Sequence, residues 1–262
     1  MRALILGVGR MGTAIAYAMD RLGFGVTGMD TNPDAASNIP RSKDSENGFL
    51  IVDDAKDIIT GLQTLKKFDV VISSLPYHQT EPVGLWCVDN GVRYCDLGGR
   101  VDVSKNINDA AKERATMPVF TDLGLAPGLV NILAEEGCKQ IHGQADDVVM
   151  MVGGLPDYLQ STRNPLRYAV TWSVDGLINE YKDDCLILED GEIKVVKGME
   201  GLENVDGEKF GKMEAFYTSG GASHSIYSMK EGGVKNCSYK TLRHHGHRDI
   251  CLLYTSPSPR DS

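Results

Sequence analysis

Residues able to do chemistry open the chain. Gly7-Val8-Gly9-Arg10-Met11-Gly12 carries the spacing G-x-G-x-x-G and follows directly on the apolar run Ala3-Leu4-Ile5-Leu6. Glycine is needed at each position for a different reason. Gly7 makes a tight turn, Gly9 lets backbone approach a pyrophosphate, and Gly12 lets the next helix pack closely on the strand. The first N–H groups of that helix then face phosphate. A second short strand, Gly25-Val26-Thr27-Gly28-Met29, ends in Asp30, roughly 20 residues beyond the glycines, where a carboxylate accepts hydrogen bonds from ribose hydroxyls. A 2′-phosphate would be repelled there, so the pattern predicts NAD as cofactor, with NADP as the alternative. The bland reading is a glycine turn that only shapes a sheet. The strand before it, the helix after it and the acid beyond argue for the dinucleotide.

Three later stretches each follow a short apolar run: Ser74-Leu75-Pro76-Tyr77-His78, Asp96-Leu97-Gly98-Gly99, and Asp122-Leu123-Gly124-Leu125-Ala126-Pro127-Gly128-Leu129-Val130-Asn131. In an open α/β sheet, ligands bind outside the carboxyl ends of the strands. Acids and hydroxyls at these ends would therefore ring a nicotinamide. Asp96 and Asp122 are candidates for a general base or for orienting an ammonium group, and N-cap or turn duty is the competing role for each. Pro127 and Gly128 open a helix whose first N–H groups suit a carboxylate. His78 reads more simply as a loop histidine. Farther on, Arg167 has the planar fork that grips a carboxylate bidentately, with Arg163 as its competitor.

The elements that must position these residues come in two rhythms. Strands are expected at 49–52, 68–74, 91–96 and 118–122, alternating with helices at 54–67, 81–90 and 105–115; Asp53 falls where such folds pass the adenine. This βαβ alternation predicts a doubly wound parallel sheet, a Rossmann domain over residues 1–126. A helix follows at 128–139, and then strands at 147–154, 168–173, 185–188, 193–196 and 212–217 without crossover helices. Asp190-Gly191 reads as a hairpin turn. Residues 127–250 are thus expected to form an α+β domain with a largely antiparallel sheet, for substrate binding and dimerisation. The fold class is α/β followed by α+β. Residues 251–262, with Ser-Pro-Ser-Pro near their end, resemble a translated sequencing adapter and are expected to be a disordered, non-native tail on a truncated domain.

Composition narrows the class of partner. The 262 residues carry a net charge of −9 and no basic stripe, which argues against nucleic acid. No run approaches the roughly 18 apolar residues of a membrane span, and the opening apolar run is too short for a signal peptide. Six cysteines, at 87, 95, 138, 185, 237 and 251, form no C-x-x-C pair, as expected of free thiols in the cytoplasm. Three histidines lie between 244 and 247 without accompanying ligands at fixed spacing, so no metal site is expected.

The chain resembles the saccharopine dehydrogenase family. The resemblance is carried in order by ALILGVGRMG, DVVISSLPYH, YCDLGG, TDLGLAPGLVNILA, VGGLP, NPLRYAVTWSVDGLINEY, KMEAFYTSGG and YKTLRHHGH. One departure is Arg243-His244-His245-Gly246-His247, where the family usually reads R-Y-P-G-H, which puts the local backbone in question. The resemblance implies an NAD(P)-dependent dehydrogenase acting on the C–N bond of an amino acid, of the saccharopine or lysine ε-amine type, and a homodimer. It implies that Gly7, Gly9, Arg10, Met11, Gly12 and Asp30 hold the cofactor, with Asp53 near adenine and Ser74, Leu75 and Pro76 near the nicotinamide ribose. Tyr77, Asp96, Asp122, Gly124, Leu125 and Asn131 would line the substrate cleft. The alternatives are a carboxynorspermidine-type enzyme, a semialdehyde or homoserine dehydrogenase, or a non-catalytic NAD-binding module.

Overall fold

The computed structural model describes residues 1–41, 47–52, 67–141 and 144–255. They fall into two compact units, Met1–Gly128 and Leu129–Ser262. The first unit ends two residues beyond the expected boundary, and its last residue, Gly128, bridges back to Gly124.

In the first unit, β1 (Arg2–Leu6) lies between β2 (Gly25–Asp30) and β4 (Val70–Ser73), and the sheet continues to β3 (Gly48–Ile51) on one side and to β5 (Tyr94–Asp96) and β6 (Val119–Phe120) on the other. The order 3-2-1-4-5-6 is all parallel, the arrangement of a dinucleotide-binding sheet. Parallel sheets bury both faces, so their strands read as unbroken apolar runs. Ala3, Leu4, Ile5 and Leu6 are accordingly all fully buried. Alternate residues serve opposite layers: Leu4 and Leu6 pack with Val71, Val83, Cys87 and Ile107, whereas Ile5 packs with Val8, Ala16, Val26 and Ile39. The helices α1 (Arg10–Arg21), α2 (Tyr77–Asn90) and α3 (Val101–Arg114) supply these layers. Close approach of α2 and α3 depends on Gly84, where a Cβ would lie 2.6 Å from the Ile107 side chain.

Two helices start earlier than the sequence suggests. Pro76 is the N-cap of α2, which begins at Tyr77 rather than Glu81 and tolerates Pro82 inside it; Tyr77 and His78 are thus first-turn residues, not loop residues. Helix α3 begins at Val101 rather than 105. The expected helix at 54–67 lies, apart from Lys67, outside the described residues, as does Asp53.

The second unit opens with α4 (Leu129–Gln140) and builds one sheet from β7 (Asp147–Val152), β8 (Cys185–Glu189), β9 (Glu192–Val196), β10 (Glu203–Asp206), β11 (Lys212–Tyr217) and β12 (Asn236–His244). Every pair is antiparallel except β7 with β12. The nine-residue β12 is the centre, and no sequence signal singled it out. Short helices α5 (Tyr158–Ser161), α6 (Val174–Lys182) and α7 (Ser225–Glu231) connect the strands, and α8 (His247–Thr255) follows β12. The strand expected at 168–173 does not form. Asn164 and Trp172 engage Tyr168 locally, and the Ser173 hydroxyl caps α6 by accepting from Gly176 N. Cys251–Thr255, expected to belong to a disordered tail, instead continue α8. Glu214 anchors that helix at its start by accepting from Gly246 N at 2.9 Å and Arg248 N at 2.6 Å, a carboxylate set where the helix dipole favours it.

Candidate functional site

The turn after β1 is built as its glycines require. Gly7 sits at φ +77°, and its N–H donates to the Met29 carbonyl at 2.8 Å. A Cβ on Gly12 would lie 1.9 Å from the Gly7 carbonyl oxygen, so α1 rests directly on the turn. Gly9 is different: a Cβ there would meet nothing within 4 Å. It is exposed, it is the N-cap of α1, and neither a capping side chain nor a first-turn acid accompanies it. A helix start with no side-chain cap, fronted by a glycine that packing alone does not demand, fits a pyrophosphate. Arg10 and Met11 are exposed beside it.

Asp30 reaches this turn as expected, but its carboxylate is already engaged. Oδ2 accepts from Val8 N at 2.7 Å and Oδ1 from Asn32 N at 2.9 Å. Asn38, which sequence reasoning missed, clamps the same turn by donating to the Val8 carbonyl at 2.9 Å. Ser74 and Leu75 back Gly7, as contacts of 3.0 and 3.3 Å to its absent Cβ show. The parallel register brings the ends of β1 and β4 together, and Ser74 N donates to the Leu6 carbonyl. Pro76 is exposed at the start of α2. The residues expected to hold the dinucleotide, Asp53 apart, thus form one contiguous edge of the sheet.

The two strand-end acids are brought together and then separated in kind. Asp96 is 2% exposed. Its Oδ1 accepts from Gly98 N at 2.9 Å and Asp122 N at 3.0 Å, and its own carbonyl accepts from Leu123 N. Its Oδ2 is buried with no hydrogen-bond partner; nearby, the Tyr94 hydroxyl is directed at the Thr80 carbonyl, 3.5 Å away. Burial pushes the Asp96 carboxyl above the usual carboxylate range, against the pull of the two N–H donors. Asp96 ties two loops together from inside. Asp122 is half-buried, sits at φ +60°, and accepts from the Ser104 hydroxyl at 2.6 Å. Ser104 is a second residue that sequence reasoning missed, since its only signal is a buried hydroxyl on the apolar face of α3.

Glycines again explain why the Asp122 loop is tight. A Cβ on Gly98 would lie 2.3 Å from Asp122 Oδ1, and one on Gly128 would lie 2.1 Å from the Gly124 carbonyl. Gly124 is half-buried and Leu125 is 54% exposed. Tyr77 is occupied structurally: Arg100 lies 5.4 Å from its ring centroid and His78 meets it edge-on.

Two expected substrate residues belong to the second unit. Asn131 Nδ2 donates to the carbonyls of Gly221 and Ala222 and to Ser225 Oγ at 2.7 Å, so its amide braces a loop. Arg167 lies half-buried at φ +49°. Of the three histidines near the end of β12, His244 and His247 face the backbone carbonyls of Pro156 and Leu166, and His245 is exposed.

Comparison with known proteins agrees with this architecture. Residues 3–119 match the saccharopine dehydrogenase NADP binding domain and residues 124–255 match the saccharopine dehydrogenase C-terminal domain. The mitochondrial alpha-aminoadipic semialdehyde synthase of Rattus norvegicus is 32% identical over 133 residues, which is 50% of this chain and 14% of that protein. The saccharopine dehydrogenase [NADP(+), L-glutamate-forming] of Schizosaccharomyces pombe is 22% identical over 170 residues, 64% of this chain and 36% of that one. In fold, apo saccharopine dehydrogenase (L-Glu forming) from Saccharomyces cerevisiae superposes with a TM-score of 0.73 at 21% identity, covering 96% of this chain and 57% of that chain. The chain therefore spans from about a seventh to little more than half of these relatives. It belongs to the saccharopine dehydrogenase family.

Proposed function

We propose that this family oxidoreductase uses NAD(P) to oxidise the C–N bond of an amino acid, of the saccharopine or lysine ε-amine type. The observation that carries the proposal is Asp122: a half-buried carboxylate just beyond a strand end, held by the Ser104 hydroxyl and seated against Gly98, where a Cβ would lie 2.3 Å from its Oδ1. Bound NAD(P) supplies the hydride acceptor. The first-turn amides of α1 and Gly9 receive its pyrophosphate, and Asp30 stands where the adenosine ribose is held.

A protonated amine has no lone pair to assist hydride departure from the adjacent carbon. Asp122 takes that proton as general base; departure of hydride from the adjacent carbon to the nicotinamide would leave an imine, which water hydrolyses to a carbonyl compound and a free amine. Asp96 serves by holding Asp122 N and Gly98 N, not by touching substrate. Semialdehyde chemistry would need a reactive thiolate, and four of the six cysteines are unsuited to it. Burial pushes Cys87, Cys185 and Cys237 up to about 12 and Cys95 up to about 11.

The test is a substrate screen at fixed pH, following reduced cofactor with L-lysine, L-saccharopine and carboxynorspermidine, each with NAD and NADP. Turnover of at least one amine that collapses in Asp122→Asn is expected, with NAD preferred because the Asp30 carboxylate meets a 2′-phosphate with like charge. Loss of none of the activity in Asp122→Asn would sink the mechanism. Preference for NADP would sink the Asp30 argument.

A further inference from the structure

Val8, between the first two glycines of the turn, is gripped at its amide, its carbonyl and its side chain. Its N–H donates to Asp30 Oδ2 at 2.7 Å, and its carbonyl accepts from Asn38 Nδ2 at 2.9 Å. The Val8 side chain is fully buried and packs with Ile39. Both reach over Gly28, where a Cβ would lie 2.4 Å from the Ile39 side chain and 2.7 Å from that of Val8. All three holds come from the end of β2 and the segment that follows it.

That segment is stiffened before it reaches Val8. Asp30 Oδ1 accepts from Asn32 N at 2.9 Å, Asn32 Oδ1 accepts from Asp34 N at 3.0 Å, and the Ser37 hydroxyl donates to the Asp34 carbonyl at 2.8 Å. These bonds start and line the short 3-10 helix Pro33–Asn38. Asn38 is its last residue and half-buried, and Ile39 and Pro40 beyond it are buried. On so constrained a backbone, little ordering entropy opposes the bond from Asn38 to Val8.

The consequence lies one bond further on. In a trans peptide the N–H points opposite to the C=O. With the Val8 carbonyl turned to Asn38, the Gly9 N–H is turned the other way, and it donates to no described residue. The next carbonyl, that of Gly9, is drawn back into α1 by the Thr13 hydroxyl at 2.7 Å and Thr13 N at 2.9 Å. The exposed start of α1 therefore offers an amide and withdraws its carbonyls, which is what an anion requires.

We propose that Asn38 is a positioning residue for the dinucleotide, which sets the Gly9 N–H toward the pyrophosphate by holding the carbonyl of Val8. This rests on the placement of the pyrophosphate given above and is independent of the amine chemistry. Asp30 holds the other end of the same residue, so a carboxylate and a carboxamide act together on one turn.

The probes are NAD, NADP and ADP-ribose, titrated calorimetrically into the full 262-residue chain well below its melting temperature, with melts of the cofactor-free chain alongside. Asn38→Ala should weaken every ligand that the parent binds by the same factor, about 3–10-fold, the net worth of one hydrogen bond. A common factor places the effect in the half that the three ligands share. Asn38→Asp keeps the shape but, when ionised, sets an acceptor against the Val8 carbonyl, so at pH 8 it should bind these ligands more weakly than Asn38→Ala does. Protonated, the same side chain donates again. Lowering the pH from 8 to 5 should therefore tighten binding to Asn38→Asp relative to both the parent and Asn38→Ala; Asp30 and Asp34 titrate in all three and cancel in the comparison.

A residue that only clamped the fold would lower the melt and leave the affinity of the folded chain, and its pH dependence, unmoved; that result would overturn the proposal. So would a loss confined to NAD and NADP with ADP-ribose binding intact, or a parent that binds none of the three. Asn38-dependent ADP-ribose binding without amine turnover would uphold it while defeating the oxidoreductase chemistry. Amine turnover in a chain whose cofactor affinity ignores Asn38→Ala would do the reverse.

Discussion

At the end of β1 the first unit fixes its geometry with residues that lack side chains, whereas at the end of β12 the second unit uses some of the largest. The contact of α1 with the turn exists because Gly12 has no Cβ. The loop before α6 is braced by an arginine, two tyrosines and a histidine. The difference follows from what each must hold. A pyrophosphate is bound by backbone amides and needs close approach, so bulk is excluded. A loop without regular secondary structure needs support from elsewhere, and buried hydrogen-bonded side chains provide it.

The comparison is sharpest at the acids, where the largest effect is expected. Asp122→Asn should lower turnover by about 10²–10⁴-fold, the usual worth of a general base, with NAD(P) affinity unchanged by direct titration. Asp96 should show the opposite profile. Asp96→Val leaves the Gly98 and Asp122 amides without their acceptor, at a cost of about 1–3 kcal/mol each, read as a lower melting temperature. Asp96→Asn keeps an acceptor and removes a buried charge, so its melt at pH 8 should match or exceed that of the parent. Equal turnover losses in Asp96→Asn and Asp122→Asn would erase the distinction between base and brace.

Within the glycine turn two substitutions should part company. Gly12→Ala forces a Cβ against backbone that has nowhere to go and should cost about 3 kcal/mol or more. Gly9→Ala meets nothing in the protein, so the melt of the cofactor-free chain should hold while NAD(P) binding weakens at least about tenfold, roughly 1.4 kcal/mol. A large stability loss in Gly9→Ala would mean the turn is shaped by packing alone.

A smaller effect concerns Glu180, beside the second unit's cluster. Burial pushes its carboxyl from 4.5 up to about 7, against the attraction of Arg243. Between those values the folded chain binds more protons than the unfolded one, so this group makes stability fall as pH rises. Glu180→Gln should therefore melt above the parent at pH 8, by an amount on the order of 1–2 kcal/mol, with the gap closing toward pH 4.5. The effect of His247 runs the other way, being lost below pH 6.5 as the buried ring is forced to take a proton, but it is common to both proteins and cancels in the difference. Smallest of all, Lys105→Ala breaks an exposed pair with Asp109 on α3 and should change stability by no more than about 0.5 kcal/mol. Chemical denaturation checks it.

Much of the first unit was legible because its signals are local. The turn, its flanking strand and helix, and Asp30 lie within thirty residues, and each glycine has a backbone reason written in its type. The start of α2 was misjudged because Pro82 reads as a barrier, although Pro76 already caps the helix and the chain continues through Pro82 without a break. What the sequence could not rank was Asp96 against Asp122. The two residues share a type and a place at a strand end, and only the fold shows that Asp96 is buried and accepts from two backbone amides whereas Asp122 is half-buried and accepts from a side-chain hydroxyl.

By itself, then, the sequence determined the family, the doubly wound sheet and the nucleotide edge, because periodicity and glycine spacing act over a few residues and survive without knowledge of the rest. Tertiary structure alone decided which acid is fully buried and which half-buried, that the Asn131 amide meets the carbonyls of Gly221 and Ala222, and that Tyr181, Arg243 and His247 form one line. The partners in that line are 62, 66 and 81 residues apart in sequence, and hydrogen bonds across such distances are set by how sheets and helices pack, which no local pattern encodes.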